Sequence, residues 1–217
     1  MKFLTGIGLL LISPIFSLAQ VGVVNDSIKT MPGSKKGNQH RSLSVTLSFF
    51  NHSISVPFHK MISKPLHPGV QAGIEGSYFE THRSKLFQTL NLGAFNNKYN
   101  GTGFYINTEL AYRFMSAPGI YAETLLGIGY LRTYHPTDIY ELNSSGTYEK
   151  IKDKGFSSPL LSFAFGLGYV IKSKSLLSFA PFIRYESMFQ TRYSTDLDVL
   201  PQTAFHVGVR MVKKRAK

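Results

Sequence analysis

Phe104-Tyr105-Ile106-Asn107-Thr108-Glu109-Leu110-Ala111-Tyr112-Arg113-Phe114 is the stretch that decides the fold. Its odd and even members differ in kind. Phe104, Ile106, Thr108, Leu110, Tyr112 and Phe114 make one greasy face. Tyr105, Asn107, Glu109, Ala111 and Arg113 make a mixed polar one. A side-chain period of two is the period of a β-strand. Lysine appears on neither face, and the same holds for the strand cores read below. A soluble barrel would spread lysine over its wet exterior. A chain that keeps it off both faces reads as a barrel with lipid outside and a packed polar core inside.

Seven further stretches repeat the pattern. Before this one, Leu43, Val45, Leu47 and Phe49 alternate with Ser44, Thr46 and Ser48. The phase then flips to Ile54, Val56 and Phe58, which predicts a bulge near Phe49–Asn51. Val70, Ala72, Ile74 and Tyr78 oppose Gln71, Gly73, Glu75 and Ser77; Leu86, Leu90, Leu92 and Ala94 oppose Thr89, Asn91 and Gly93. After it come Ile120–Tyr130, Leu161–Tyr169, Leu177–Phe189 and Ala204–Met211, each with one apolar and one small or polar face. Pro181 sits inside the seventh stretch, where proline normally demotes a strand.

The connections alternate in length. His82–Lys85, Ser116–Gly119 and Lys172–Ser175 are short. His59–Gly69, Lys98–Gly103, His135–Ser158 and Thr191–Thr203 are longer. Eight strands put every short link at one end and every long link at the other, the asymmetry of barrels with periplasmic turns and outer loops. Aromatic residues gather toward both strand ends, as in interfacial girdles. The expected fold is all-β, an eight-stranded antiparallel up-and-down transmembrane β-barrel over residues 41–213.

Outside the barrel, residues 1–19 read as a cleaved signal peptide: Lys2, an apolar run to Phe16, then Ser17-Leu18-Ala19 before Gln20. Residues 20–40 lack periodicity and are expected to form a flexible periplasmic arm. Residues 214–217 are a basic tail. The formal net charge is +12. The exported address and the scatter of cations over loops and turns exclude nucleic acid as partner. They fit anionic outer-membrane lipid and lipopolysaccharide phosphates instead. With no cysteine, stability rests on the closed hydrogen-bond ladder rather than on disulfides.

Eight strands enclose an interior just wide enough for side chains to fill. Into it point Glu75, Glu109, Glu123 and Glu186, with Arg113, Arg184, Arg210 and His206. The simplest reading is a satisfied salt-bridge core, because each unpaired buried charge costs several kcal/mol. A charged lumen whose network rearranges is the alternative, a narrow channel for small hydrophobic or ionic solutes. His59, His67 and His135 flank long loops, but their spacing matches no metal motif. No metal and no cofactor is expected.

These features resemble the small eight-stranded outer-membrane barrels of Gram-negative bacteria, the OmpA/OmpX/OmpW-like group. The resemblance is architectural: hairpin order, loop asymmetry and charged plug. It implies a monomer inserted by the barrel assembly machinery, with an envelope structural or surface-interaction role through its extracellular loops and no catalysis. One departure concerns assembly, since such barrels end on an aromatic residue. Here Met211-Val212 is followed by Lys213-Lys214-Arg215-Ala216-Lys217. Some barrels of this size are lipid A acyl hydrolases with a His-x-Ser pair on a late strand. This chain has His52-Ser53 on an early strand, where alternation sends them to opposite faces, and Gly208 two residues after His206.

Overall fold

A computed structural model describes residues 43–58, 66–116, 119–143, 146–171, 177–192 and 198–213. The expected signal peptide (1–19), arm (20–40) and tail (214–217) lie outside the described residues. Ten strands follow in order: β1 (Leu43–Ser53), β2 (Pro68–Glu80), β3 (Ser84–Asn97), β4 (Gly101–Met115), β5 (Ile120–Tyr134), β6 (Ile139–Leu142), β7 (Tyr148–Ile151), β8 (Phe156–Tyr169), β9 (Leu177–Thr191) and β10 (Val199–Lys213). Eight of them close a barrel in the order β1-β10-β9-β8-β5-β4-β3-β2. All ladders are antiparallel, and β1 pairs with β10 to complete the ring. In the β5–β8 connection, β6 and β7 form a separate hairpin. Closure leaves no sheet edge, which a lipid environment requires of any strand-built span.

The alternation of β4 is realised residue by residue. Ile106, Leu110, Tyr112 and Phe114 are exposed on the outer wall, while Tyr105, Asn107, Glu109, Ala111 and Arg113 are buried inside. Leu47 and Phe49 of β1, Ile183 of β9 and Val207 of β10 extend the same exposed apolar wall. So large a continuous apolar surface around a polar, buried interior suits hydrocarbon and not water.

Three expectations are corrected. The phase flip after Phe49 is not a bulge: β1 runs in unbroken register with β10 from Ser44↔Val212 to Ser53↔Thr203. The strand ends at Ser53, and Ile54–Phe58 then lies over the outer face of β10 and β9. Ser55 Oγ is 2.9 Å from Thr203 Oγ1, and the Phe58 N–H donates to the Tyr185 hydroxyl at 2.8 Å. The register irregularity lies in β2, between Ser77 and Phe79. Second, lysine is not absent from the strand faces. Lys85 belongs to β3 rather than to the preceding turn, is buried, and pairs with Glu80 at 3.6 Å. Third, the long connection His135–Ser158 ends sooner than expected, since β8 begins at Phe156, and it holds the β6–β7 hairpin. Pro181 does not demote β9. On the β8 side the ladder has already ended at Gly168↔Phe182.

Candidate functional site in the barrel lumen

Inward-facing positions from all eight barrel strands meet in the lumen, and their chemistry changes with height. Nearest the turn end, Tyr121, Ala180 and Phe182 form an apolar cluster with Met115 and Val170 packed against it. Strand length and parity explain the rest. Each strand contributes an inward residue every second position, so charges two or four residues apart stack along the barrel axis.

The charge network centres on Glu123. Its carboxylate accepts from Arg113 Nε at 3.0 Å, from Arg210 Nη2 at 3.0 and 3.2 Å, and from Arg184 Nη2 at 3.4 Å. Glu75 accepts from Arg113 Nη2 at 3.3 Å and also from Arg210 Nε. The Arg210 guanidinium further donates to the Tyr121 hydroxyl. Glu109 takes Thr89 Oγ1 at 2.9 Å, Asn91 Nδ2 at 2.8 Å and Arg184 Nη1 at 3.5 Å. Aromatic faces flank the guanidinium groups: Arg113 lies 4.3 Å from the Phe87 centroid and Arg210 5.2 Å from that of Tyr121. Such planar groups keep their charge, share carboxylates and stack on rings, which a lysine at the same points would not do.

The structure thus brings together six of the eight residues singled out by sequence, with Lys85 as a further buried cation at the turn end. The other two, Glu186 and His206, are fully buried beside each other. His206 Nε2 is 3.1 Å from Glu186 Oε2 but off the line of a hydrogen bond, and Nδ1 is 3.2 Å from Ser48 Oγ. Ser48 comes from β1, 158 residues away in sequence, and its polar small-face position was its only signal.

Above the charges an apolar layer crosses the lumen: Phe50, Phe95, Tyr105, Leu131, Leu160, Met188 and Ala204. Glycine makes room for its rings. A Cβ on Gly93 would stand 2.1 Å from Tyr105 Cζ. Phe50, the cross-strand partner of His206, stacks on its ring with centroids 4.6 Å apart and so covers it.

The loop-end mouth carries a hydrogen-bond chain that sequence reading missed. Asn97 Nδ2–H donates to His52 Nδ1 at 3.0 Å, which fixes the other ring nitrogen as donor. His52 Nε2–H then donates to Gln202 Oε1 at 2.9 Å, and Gln202 Nε2–H to Gln190 Oε1 at 2.6 Å. The His52 ring stacks on Phe95 at 3.9 Å. His67 N–H donates to Asn51 Oδ1 at 2.7 Å, and His135 N–H to Asp153 Oδ2 at 2.6 Å. His59 lies outside the described residues. No group of three metal-binding side chains occurs among the described residues.

The outer wall holds a second surprise. Gln88 of β3 faces lipid, accepts from the Tyr78 hydroxyl and donates to Thr108 Oγ1 at 2.8 Å; Thr108 in turn donates to the Thr89 carbonyl at 2.8 Å. A polar residue survives there because its hydrogen-bonding groups are engaged along the wall.

A closed eight-strand ring, an apolar outer wall and a charged, filled interior define the class: this chain is an outer-membrane β-barrel. Similar solved structures include Neisserial surface protein A, at 12% identity over 81% of this chain and 97% of that one, with a TM-score of 0.47. Ail, the attachment invasion locus protein of Yersinia pestis, gives 14% over 79% and 97%, TM-score 0.47. The outer membrane enzyme PagL gives 12% over 79% and 99%, TM-score 0.39. At these identities the likeness is one of fold. No family model matches the chain, and no curated protein matches it in sequence.

Proposed function

We propose that this protein resides in the outer membrane as a sealed, non-catalytic barrel whose working surface is its loop end. The observation that carries this reading is the position of Glu123, held by three arginines beneath a crossing layer of rings and aliphatic side chains. Conduction would require those arginines to leave their carboxylates, at several kcal/mol per unpaired buried charge. It would also require water to pass Phe95, Leu131 and Leu160, each of them buried. The interior acts as a plug.

The order Ser48–His206–Glu186 has the residue types of a nucleophile, base and acid. Burial of all three, with Phe50 over the imidazole, keeps an acyl substrate out of reach and supports a structural role. The loop end offers contact surface instead. Leu142 pairs with Tyr148 and Tyr140 with Lys150 on one face of the β6–β7 hairpin, and all four are exposed. Asp138, Glu141, Glu149, Lys152, Asp153 and Lys154 surround them with mixed charge. Such a surface fits weak polar and aromatic contacts with lipopolysaccharide or with another surface. Assembly as a monomer by the barrel machinery completes the proposal.

Planar-bilayer recording of the purified protein tests it. The expected trace shows no unitary steps; stable steps would establish the channel reading instead. Mass spectrometry of lipid A with and without expression tests the hydrolase reading, and an unchanged acyl pattern is expected.

A further inference from the structure

Besides the Gln88–Thr108 pair, the outer wall carries a polar row where β1, β10 and β9 meet near the loop end. There Ser53, Thr203 and Ser187 stand in one cross-strand row, since Thr203 pairs with both Ser53 and Ser187. Parity points them outward, like Phe49, Val207 and Ile183, which are exposed. Yet Thr203 is only 1% exposed and Ser187 2%, and Tyr185, two residues below Ser187, is 8%. Ile54–Phe58 lies against this row, through Ser55 on Thr203 and Phe58 on Tyr185. This strap turns Ile54, Val56 and Phe58 outward, with Val56 63% exposed, and turns Ser55 onto the row.

Among the described residues, the strap is held by Ser55 on Thr203, the Phe58 N–H on the Tyr185 hydroxyl, and the Phe58 ring on Tyr185 at 5.5 Å. Phe58 adopts a left-handed backbone at φ 64°, a strained conformation for a bulky residue. A strained cover over a polar row is suited to lifting.

We propose that Ile54–Phe58 is a displaceable strap over a lipid-side binding site. When it lifts, the hydroxyls of Ser53, Thr203, Ser187 and Tyr185 take the neutral carbonyl or hydroxyl linkage of a single acyl-chain lipid. The row itself holds no charged side chain, so it offers a phosphate no counter-charge. Its neutral hydroxyls both donate and accept. The apolar wall below, with Ile183 and Val207, suits the attached chain. The inference is independent of whether the lumen conducts.

The chain has no cysteine, so paired labels are easily placed. Spin labels on Val56→Cys and Ile106→Cys report the strap by pulsed distance measurement in nanodiscs of diether phosphatidylcholine, which lack ester carbonyls. One distance is expected there. Adding monolauroylglycerol is expected to create a second population, and dodecane is expected to create none. Ser187→Ala should weaken the response about two- to tenfold, the worth of one hydrogen bond. In an unlabelled background, Ser55→Cys/Thr203→Cys joins the strap to the wall as a disulfide. Isothermal titration of monolauroylglycerol into it should show binding only after reduction, about two- to tenfold weaker than wild type because the Thr203 hydroxyl is gone. A single distance at every glyceride concentration overturns the proposal. So does an equal response to dodecane, or glyceride binding that ignores the disulfide.

Discussion

The turn-end half of the lumen is held by charge, and the loop-end half by rings and amides. Below, Glu75 and Glu123 share Arg113 and Arg210, and Arg184 reaches Glu123 from the side. Above, Phe50, Phe95, Leu131, Leu160 and Met188 fill the section, capped by the Asn97–His52–Gln202–Gln190 chain. The difference separates two tasks. Shared carboxylates bind distant strands tightly but leave polar atoms that water would solvate. A dry layer has no charge to strand and excludes water. Charge secures the ring, and the apolar layer seals it.

That contrast predicts a ranking of effects. Glu123→Ala takes the shared carboxylate from three buried guanidinium groups, leaving them only Glu75 and Glu109, and should cost about 3–5 kcal/mol; denaturant unfolding in lipid vesicles measures it. Leu110→Arg sets a cation into hydrocarbon at mid-wall and should cost about 2–4 kcal/mol with poor assembly, read as loss of the folded band. A neutral outcome would mean the two faces are reversed. Gln202→Ala removes the middle of the amide chain and leaves His52 Nε2 without its acceptor. The expected loss is about 1–3 kcal/mol in the same unfolding assay. If it equalled the Glu123 effect, the two halves would not differ as argued.

The smallest effect lies outside the membrane. Hydrogen bonds from the Gly155 and His135 N–H groups hold the Asp153 carboxyl below the usual carboxylate range. A depressed folded value means the order is present above the unfolded value of Asp. It is lost as pH falls through the lower folded value. The Gly155 amide proton shift, followed on acidification, should move only in that acidic window.

The wall pattern was legible in the sequence because a period of two survives every local irregularity, and β4 shows it without interruption. The charge set was legible for the same reason: parity with Glu109 and Arg113 fixes which side a residue faces. What escaped notice depended on contacts between remote strands. Lys85 follows a turn, and only the register Lys85↔Arg113 reveals that β3 has already begun. The phase flip at Ile54–Phe58 was visible, but a bulge and a strand that ends in an outer strap write the same letters. Gln88 breaks the greasy face, and its acceptability rests on Tyr78 and Thr108, 10 and 20 residues away. The amide chain joins His52 to Gln202 across 150 residues, a pairing no local pattern encodes.

The seal itself can be tested with one thiol. Ala164, fully buried at mid-lumen beside Phe87 and Leu125, is replaced by cysteine in a chain that has no other. A small water-soluble thiol reagent is then applied to the protein folded in lipid. The plug account predicts no modification until denaturant unfolds the barrel. Rapid labelling of the folded protein, at the rate of a free thiol, would contradict it.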